Sequence, residues 1–344
     1  MLNKILTKIN WRAILIWLGG VITTLLGLML ITFIISKASP VDPVLKMVGD
    51  KASIETYRAA YETLGLHLPL YQQFLNFLGQ VMLGNLGDST STGRTVLTDL
   101  ATYFPATLEL ATLSIFWGVV LGVPAGMLAA IKKNSLIDQC LRCIALLGYS
   151  IPIFWLGLVG LFVFYAKLGW VPGPGRIDDI YLYTLEPWSN FMLIDTLYHH
   201  EYAGFKNAIA HLILPVALLA FFSMAYIMRM TRSLVLEELN KEYVLCALIK
   251  GASRTRVLIK HILPNIAASL ITVIGLSYAL LLEGAVLTES IFSWQGIGLY
   301  VTKALFDGDL AAVLGGTLLI GVVFILLNAI VDLLCKYLDP RQRS

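Results

Sequence analysis

Charge is scarce in this chain. Only 14% of its 344 residues are Asp, Glu, Lys or Arg, whereas 58% are hydrophobic. A soluble chain of this length could not hide so much apolar surface, so the bilayer is the solvent for much of it. Cysteine is scarce as well: Cys140, Cys143, Cys246 and Cys335 all fall on or near the side assigned below to the cytoplasm, which points to free thiols. Cys140-Leu-Arg-Cys143 is a C-x-x-C with no second pair and no neighbouring His, too little for a metal or redox site. A nucleotide-binding loop is missing. Gly87-Asp-Ser-Thr-Ser-Thr-Gly-Arg-Thr95 has its glycines one residue too far apart, and Arg94 stands where a lysine is needed. H-E-x-x-H, G-x-S-x-G and metal-spaced clusters are missing, and the adjacent pair His199-His200 has no further ligands. The expectation is no catalytic centre, no metal and no cofactor. Basic residues are divided among short loops without an aromatic-interleaved basic face, which argues against nucleic acid. No internal repeat supports an inverted-repeat fold. Carboxylates are few inside the apolar runs. A carrier driven by protons or sodium often needs such groups, so their scarcity points to energy supplied from outside the chain.

What the chain does have is six apolar runs that read as spans, roughly 13–36, 106–131, 143–166, 212–228, 262–282 and 310–331. The first runs uncharged from Ala13 to Ser36, about 36 Å as a helix. That exceeds the run of about 7–15 residues in a signal peptide, so it reads as a retained anchor despite Ser36-Lys-Ala38. Lys4, Lys8 and Arg12 lie on one stripe opposite Leu2, Ile5 and Ile9, the pattern of an interfacial helix. The fourth run is short. The second carries Glu109, read as lying near its interfacial start. With the N-terminus in the cytoplasm, the inside segments hold 16 Lys and Arg and the outside segments 9 in more than twice the length. The positive-inside rule therefore favours both termini in the cytoplasm.

Between the spans, the outside segment 37–105 divides into a helix capped by Ser53 and ending near Gly65, then a second apolar helix over Leu70–Met82 closed by Gly84-Asn-Leu-Gly87. Gly169-Trp-Val-Pro-Gly-Pro-Gly175 forbids helix. Gly118, Gly122 and Gly126 recur every four residues on one face of the second span and let a partner helix approach closely. Pro124 and Pro152 lie in spans two and three and each removes a backbone donor. The domain reading is an N-terminal anchor and outside loop over 1–105, a membrane core over 106–333, and a cytoplasmic tail over 334–344.

The segment 229–261 concentrates seven basic and three acidic residues. Residues 240–250 suit one helix, Gly251 breaks it, Ala252 to Leu263 suit a second, and Pro264 marks re-entry to the membrane. Two readings stand open on composition alone: an ordinary basic loop obeying charge topology, or a short helix that a soluble partner grips.

The wider pattern resembles the inner-membrane permease subunits of ATP-binding-cassette importers, in the dipeptide/oligopeptide/nickel branch. That branch carries a cytoplasmic motif like Tyr-x-x-Thr-Ala-Arg-Ala-Lys-Gly, then nine residues to His-Ala-Leu-Arg-Asn. Tyr243, Ala247, Lys250, Gly251, His261, Leu263 and Asn265 match it. Leu245 and Cys246 replace the Glu and first Ala of the general family motif, and Leu248, Ile249 and Pro264 also depart. Phe104-Pro-Ala-Thr-Leu-Glu-Leu110, Gly122-Val-Pro-Ala-Gly126, Tyr149-Ser-Ile-Pro-Ile-Phe-Trp155, Leu168-Gly-Trp-Val-Pro172, Gly175-Arg176, Asn190 to Asp195 and Met228-Arg-Met-Thr-Arg-Ser233 follow in the family's order. Glu289-Ser-Ile-Phe-Ser-Trp-Gln-Gly-Ile-Gly298 is similar to a family segment with proline at Gln295, and Asp339-Pro-Arg341 fits the ending.

The resemblance implies an all-α integral membrane protein with the type I importer permease fold: six spans, a large extracytoplasmic loop between the first two, and a coupling helix at 240–262. It implies a multi-pass subunit of the cell inner membrane, with no bond chemistry of its own. Its implied partners are a second permease subunit, two cytoplasmic ATPases, an extracytoplasmic solute-binding protein and membrane lipid. Coupling to the ATPases would fall to Tyr243, Ala247, Lys250, Gly251, Arg254 and His261. Short peptides are the implied cargo, with nickel and antimicrobial peptides as alternatives in the same family. A self-contained ion-coupled carrier or a membrane scaffold are the alternatives from other classes.

Overall fold

The structure, a computed structural model, describes residues 11–37, 42–49 and 51–338. All but the last two residues of the expected interfacial helix, and the ending Asp339-Pro-Arg341, lie outside this set. The described chain is helical, with one isolated antiparallel bridge between Asp88 and Thr95. In order, the helices are α1 (Trp11–Lys37), α2 (Pro43–Val48), α3 (Ile54–Thr63), α4 (Leu70–Met82), α5 (Val96–Ile131), α6 (Leu136–Ser150), α7 (Ile153–Gly160, continued by a π-helical stretch Leu161–Lys167) and α8 (Asp179–Leu182). Then come α9 (Met192–Tyr198), α10 (Tyr202–Leu239), α11 (Glu242–Ile249), α12 (Arg254–Val257, continued by a π-helical stretch Leu258–Ile262), α13 (Leu263–Ile291), α14 (Ile297–Asp307) and α15 (Leu310–Leu338). Five helical runs are long and apolar enough to cross a membrane, and the bent pair α6 and α7 makes a sixth.

Four sequence expectations are corrected. The third span is two helices, not one: α6 and α7 meet at 96°. Pro152 offers no N–H, and Ile151 before it is forced out of the helical region to φ −91°, ψ 126°. Pro105 and Pro124, by contrast, sit inside an unbroken α5. The second span starts about ten residues earlier than its apolar run, so Glu109 is thirteen residues, about 20 Å, into α5 rather than near its start. The fourth span is not short: α10 has 38 residues. Residues 252–263 are not a separate helix. They run through α12 and a π-helical turn directly into α13, with Pro264 at the junction where the π-helical turn gives way to α-helix.

The chain folds as two compact units. The first comprises residues 1–100 and 300–325. Its polar joints are side-chain caps. Asp42 accepts from Val44 N at the start of α2 and from the Tyr57 hydroxyl at 2.8 Å. Ser53 accepts from Thr56 N at the start of α3. Asp309 accepts from Ala312 N at the head of α15 and from Ser89 Oγ and Ser91 N of the 87–95 turn. That turn, which superficially resembled a phosphate loop, is thus tied to a carboxylate. Buried Asp99 accepts from Thr92 Oγ1 and the Tyr300 hydroxyl. Burial and the Asp99 charge raise the Tyr300 phenol pKa.

The second unit comprises residues 101–299 and 326–344. Its spine is the crossing of α5 with α10. A Cβ on Gly118 would lie 2.1 Å from Ser223 Oγ, and one on Gly122 3.1 Å from Ile227. On Gly126 it would lie 2.5 Å from the Met228 carbonyl oxygen, where backbone cannot yield. The three glycines therefore sit where the two helices touch backbone to backbone. Cys335 on α15 is buried, with its thiol 3.4 Å from the Ala268 carbonyl; all four cysteines are free thiols.

Candidate functional site

The elbow between α10 and α13 is built by two turns. At the first, α10 ends at Asn240 and α11 begins beyond Lys241. Buried Glu238 accepts hydrogen bonds from both the Lys241 ammonium and the Tyr243 hydroxyl, which pins the start of α11 to the last turn of α10. The bond to Glu238 raises the Lys241 pKa. Burial, followed by the same carboxylate, raises the Tyr243 phenol.

At the second turn, Gly251 has φ +85°, a left-handed conformation that side chains rarely tolerate. Gly251 N donates to Leu248 O and Ala252 N donates to Ala247 O. This pair of bonds is a Schellman ending, with glycine at the left-handed position and a small apolar contact between Ala247 and Ala252. The four-residue spacing of Ala247 and Gly251 is thus a requirement of the turn. Nothing lies within 4 Å of a Cβ at Gly251, so backbone conformation and not space demands glycine there. Ser253 then caps α12 by accepting from Arg256 N.

The elbow has two faces. Tyr243, Val244 and Ala247 turn inward onto Ala130, Val235, Val257, Leu258 and Ile262. Leu245 and Ile249 turn outward, 60% and 77% exposed, flanked by exposed Lys250, Arg254, Arg256, Lys260 and His261. Two large apolar side chains are thus exposed on a helix fixed at both ends, in a segment whose basic side chains are exposed as well. Of the residues singled out from sequence, Tyr243 and Ala247 are in the elbow's internal packing, Gly251 forms its turn, and Lys250, Arg254 and His261 are on its surface.

Three further joints were not assigned from sequence. Beside the elbow, fully buried Asp138 takes both arms of Arg232 at 2.7 and 2.9 Å and accepts from Asn134 N, fixing the loop before α6 to α10. At the far part of α5, Glu109 pairs with Arg176 at 3.0 Å and accepts from Met192 N and Leu193 N at the head of α9. The Arg176 guanidinium lies 5.5 Å from the ring centre of buried Trp294, whose indole donates to Ala106 O. Next to it, fully buried Glu289 accepts from Thr107 Oγ1 at 2.5 Å and from Leu299 N at 2.8 Å. A Cβ at Gly296 would lie 2.3 Å from the Glu289 carboxylate. The spacing Glu289, Trp294, Gly296, Gly298 is therefore that of a carboxylate reaching past its own helix end to cap the next helix. The motif's order in the sequence was the available signal; its partners, far off along the chain, were not.

Comparison with known proteins accords with this geometry. The family model described as "Binding-protein-dependent transport system inner membrane component" matches residues 122–344, and that for the N-terminal part of the same membrane components matches 11–111. The chain is 43% identical, over 95% of its length and 97% of the relative's, to a di/tripeptide transport system permease protein DppB of Pseudomonas aeruginosa. It is 41% identical, over the same shares, to the dipeptide transport system permease protein DppB of Escherichia coli K12. It is 39% identical to a probable D,D-dipeptide transport system permease protein of E. coli K12, covering 94% of each chain. Among solved structures, a chain of the MetNI methionine ABC transporter in an inward-facing conformation superposes with a TM-score of 0.50 at 17% identity, covering 68% of this chain and 93% of that one. That likeness concerns the fold alone.

Proposed function

This chain belongs to the binding-protein-dependent transport system inner membrane components, and on that premise we propose that it is the permease subunit of an ATP-binding-cassette importer for short peptides. The observation that carries the cargo is the near full-length similarity to di- and tripeptide permeases, covering 97% of those relatives. The chain supplies a multi-pass segment of the inner membrane with both termini in the cytoplasm. It pairs with a second, related permease subunit, and the pathway runs between them. Two cytoplasmic ATPases hydrolyse ATP, one of them seated on the elbow. There Leu245 and Ile249 would enter a groove of that ATPase, with Lys250 and Arg254 at its rim, and an extracytoplasmic binding protein would deliver the peptide. Closure of the ATPase pair on ATP moves the elbow. The Glu238–Tyr243 joint passes that movement to α10, and the continuous helical run from α12 passes it to α13, as rigid-body motion, turning the pathway outward; hydrolysis resets it.

The test is transport by the assembled complex in proteoliposomes. Uptake of a labelled dipeptide is expected to require both ATP on the ATPase side and the binding protein. Nickel should not compete. Uptake by this chain alone, driven by a proton or sodium gradient, would replace this reading with that of an ion-coupled carrier.

A further inference from the structure

Among the cations of α10 that take no part in the joints described above, one lies against aromatic rings. Arg229 on α10 is exposed, and its guanidinium lies 4.6 Å from the ring centre of Tyr149 and 5.9 Å from that of Tyr226. Tyr149 in turn stacks on Phe222 at 6.0 Å and is itself 45% exposed. Among the described residues no carboxylate lies within ion-pair distance of Arg229. Arg232, one turn further on, is taken by Asp138.

An arginine in an apolar span is costly unless it faces water or a cavity, and such residues commonly mark a path for polar solutes. The direction of the side chain matters. An arginine answering to lipid headgroups extends toward the interface. Tyr149, over which Arg229 lies, is the penultimate residue of α6, eleven residues or about 16 Å along that helix from Asp138. The Arg229 side chain thus reaches away from the level at which Arg232 is held, toward the break between α6 and α7. With its guanidinium carbon over the Tyr149 ring and no hydrogen bond from its N–H groups among the described residues, Arg229 keeps its donors for another partner. A fork of N–H donors placed over an aromatic ring suits a carboxylate bound through both oxygens.

We propose that Arg229, held by Tyr149 and Tyr226, is a binding site in the translocation pathway for the C-terminal carboxylate of the peptide cargo. This rests on the peptide reading above. It gives a charged peptide a stationary counter-charge, while the tyrosine rings accept the adjoining side chain.

The test uses the assembled permease–ATPase complex without binding protein, in nanodiscs of phosphatidylcholine alone, so that only the pathway can select. The probe is alanyl-photoleucine as the free acid, compared with its C-terminal amide. Irradiation is followed by mapping of the labelled residues. The acid is expected to label α6 and α10 around Arg229 at least about fivefold more than the amide. Arg229→Gln should reduce acid labelling to the amide level, and Arg229→Lys should retain part of it. Tyr149→Leu, which keeps the arginine, should weaken acid labelling about threefold. Equal labelling by acid and amide in the natural chain, or acid labelling unchanged by Arg229→Gln, overturns the proposal. So does loss of acid labelling when phosphatidylglycerol is added, which would assign Arg229 to a lipid headgroup. Failure of Arg229→Gln to co-elute with the second permease subunit, with Tyr149→Leu labelling as the natural chain does, would assign it to the subunit interface. Failure of the peptide reading shows separately: the natural complex with its binding protein would then transport no dipeptide.

Discussion

Around Glu289 the polar atoms are answered from within the chain, by Thr107 and by amides at the head of α14, and the carboxylate is fully buried. On the elbow the arrangement is reversed. Its internal bonds serve only to hold α11 in place, and Leu245, Ile249, Lys250 and Arg254 are turned outward. Both regions contain a short helix joined to a long one through a glycine-dependent turn. The difference lies in where the chemistry is directed. The Glu289 lattice makes two helix ends and a loop one rigid piece, whereas the elbow's outer side chains take no part in that kind of internal bonding, and on the reading proposed above they meet a partner. Damage to the first should therefore be felt as instability, and damage to the second as lost partnership in an intact protein.

The largest effect is expected from Glu289→Ala. It leaves the Leu299 amide and the Thr107 hydroxyl buried without their acceptor, at about 1–3 kcal/mol for each unsatisfied group. Thermal unfolding in detergent should show loss of most of the folded protein. A variant as stable as the natural chain would remove the distinction drawn above. Next comes Gly251→Val. A β-branched residue at φ +85° costs roughly 1–3 kcal/mol and breaks the Schellman ending, but nothing crowds the site. The variant is expected to insert and pack normally while losing co-purification with the ATPases. Unchanged association would show that the elbow's turn is not required for docking. A smaller effect is expected for Ile249→Ser. Burying that side chain on docking is worth about 1.5–3 kcal/mol, so the ATPase should bind roughly tenfold or more weakly, with thermal stability unaltered. A fall in stability with binding preserved would reverse the assignment of the two regions.

Much of this was legible along the chain, and the reason differs from place to place. The apolar runs, the Ser53 cap and the turns at Gly65, Gly84 and Gly251 are local matters, and local chemistry decides them. The lengths of α5 and α10 were not legible. Their polar flanks are held by partners remote in sequence: Asp99 by Tyr300, 201 residues away, and Arg232 by Asp138, 94 residues away. Proline was equally ambiguous. Pro152 breaks its span, yet Pro124 and Pro215 stay within helices, so tertiary packing decides what the missing N–H does. On the elbow, sequence located the motif residues, but the reasons for them required geometry. Ala247 and Gly251 are two ends of one turn, and Tyr243 is hydrogen-bonded to Glu238.

The smallest effect should be a pH dependence confined to the elbow. Lys241 and Tyr243 both have pKa values raised above 10.5 and 10.0, and both lean on Glu238. In each case the folded protein holds its proton to higher pH than the unfolded chain does. The stabilisation is therefore complete below about pH 10 and is lost as pH rises through the folded values. Loss of the lysine's charge removes an attraction to Glu238, and loss of the phenol's proton adds a repulsion, so the two act in the same direction. The Glu289 lattice contains neither group and should not respond over that interval. Limited proteolysis at 240–254 is expected to accelerate above about pH 10 in the natural chain, and much less in the double variant Lys241→Met, Tyr243→Phe. Equal acceleration in both would mean that the alkaline loosening starts elsewhere and that Glu238 is not the joint holding α11 to α10.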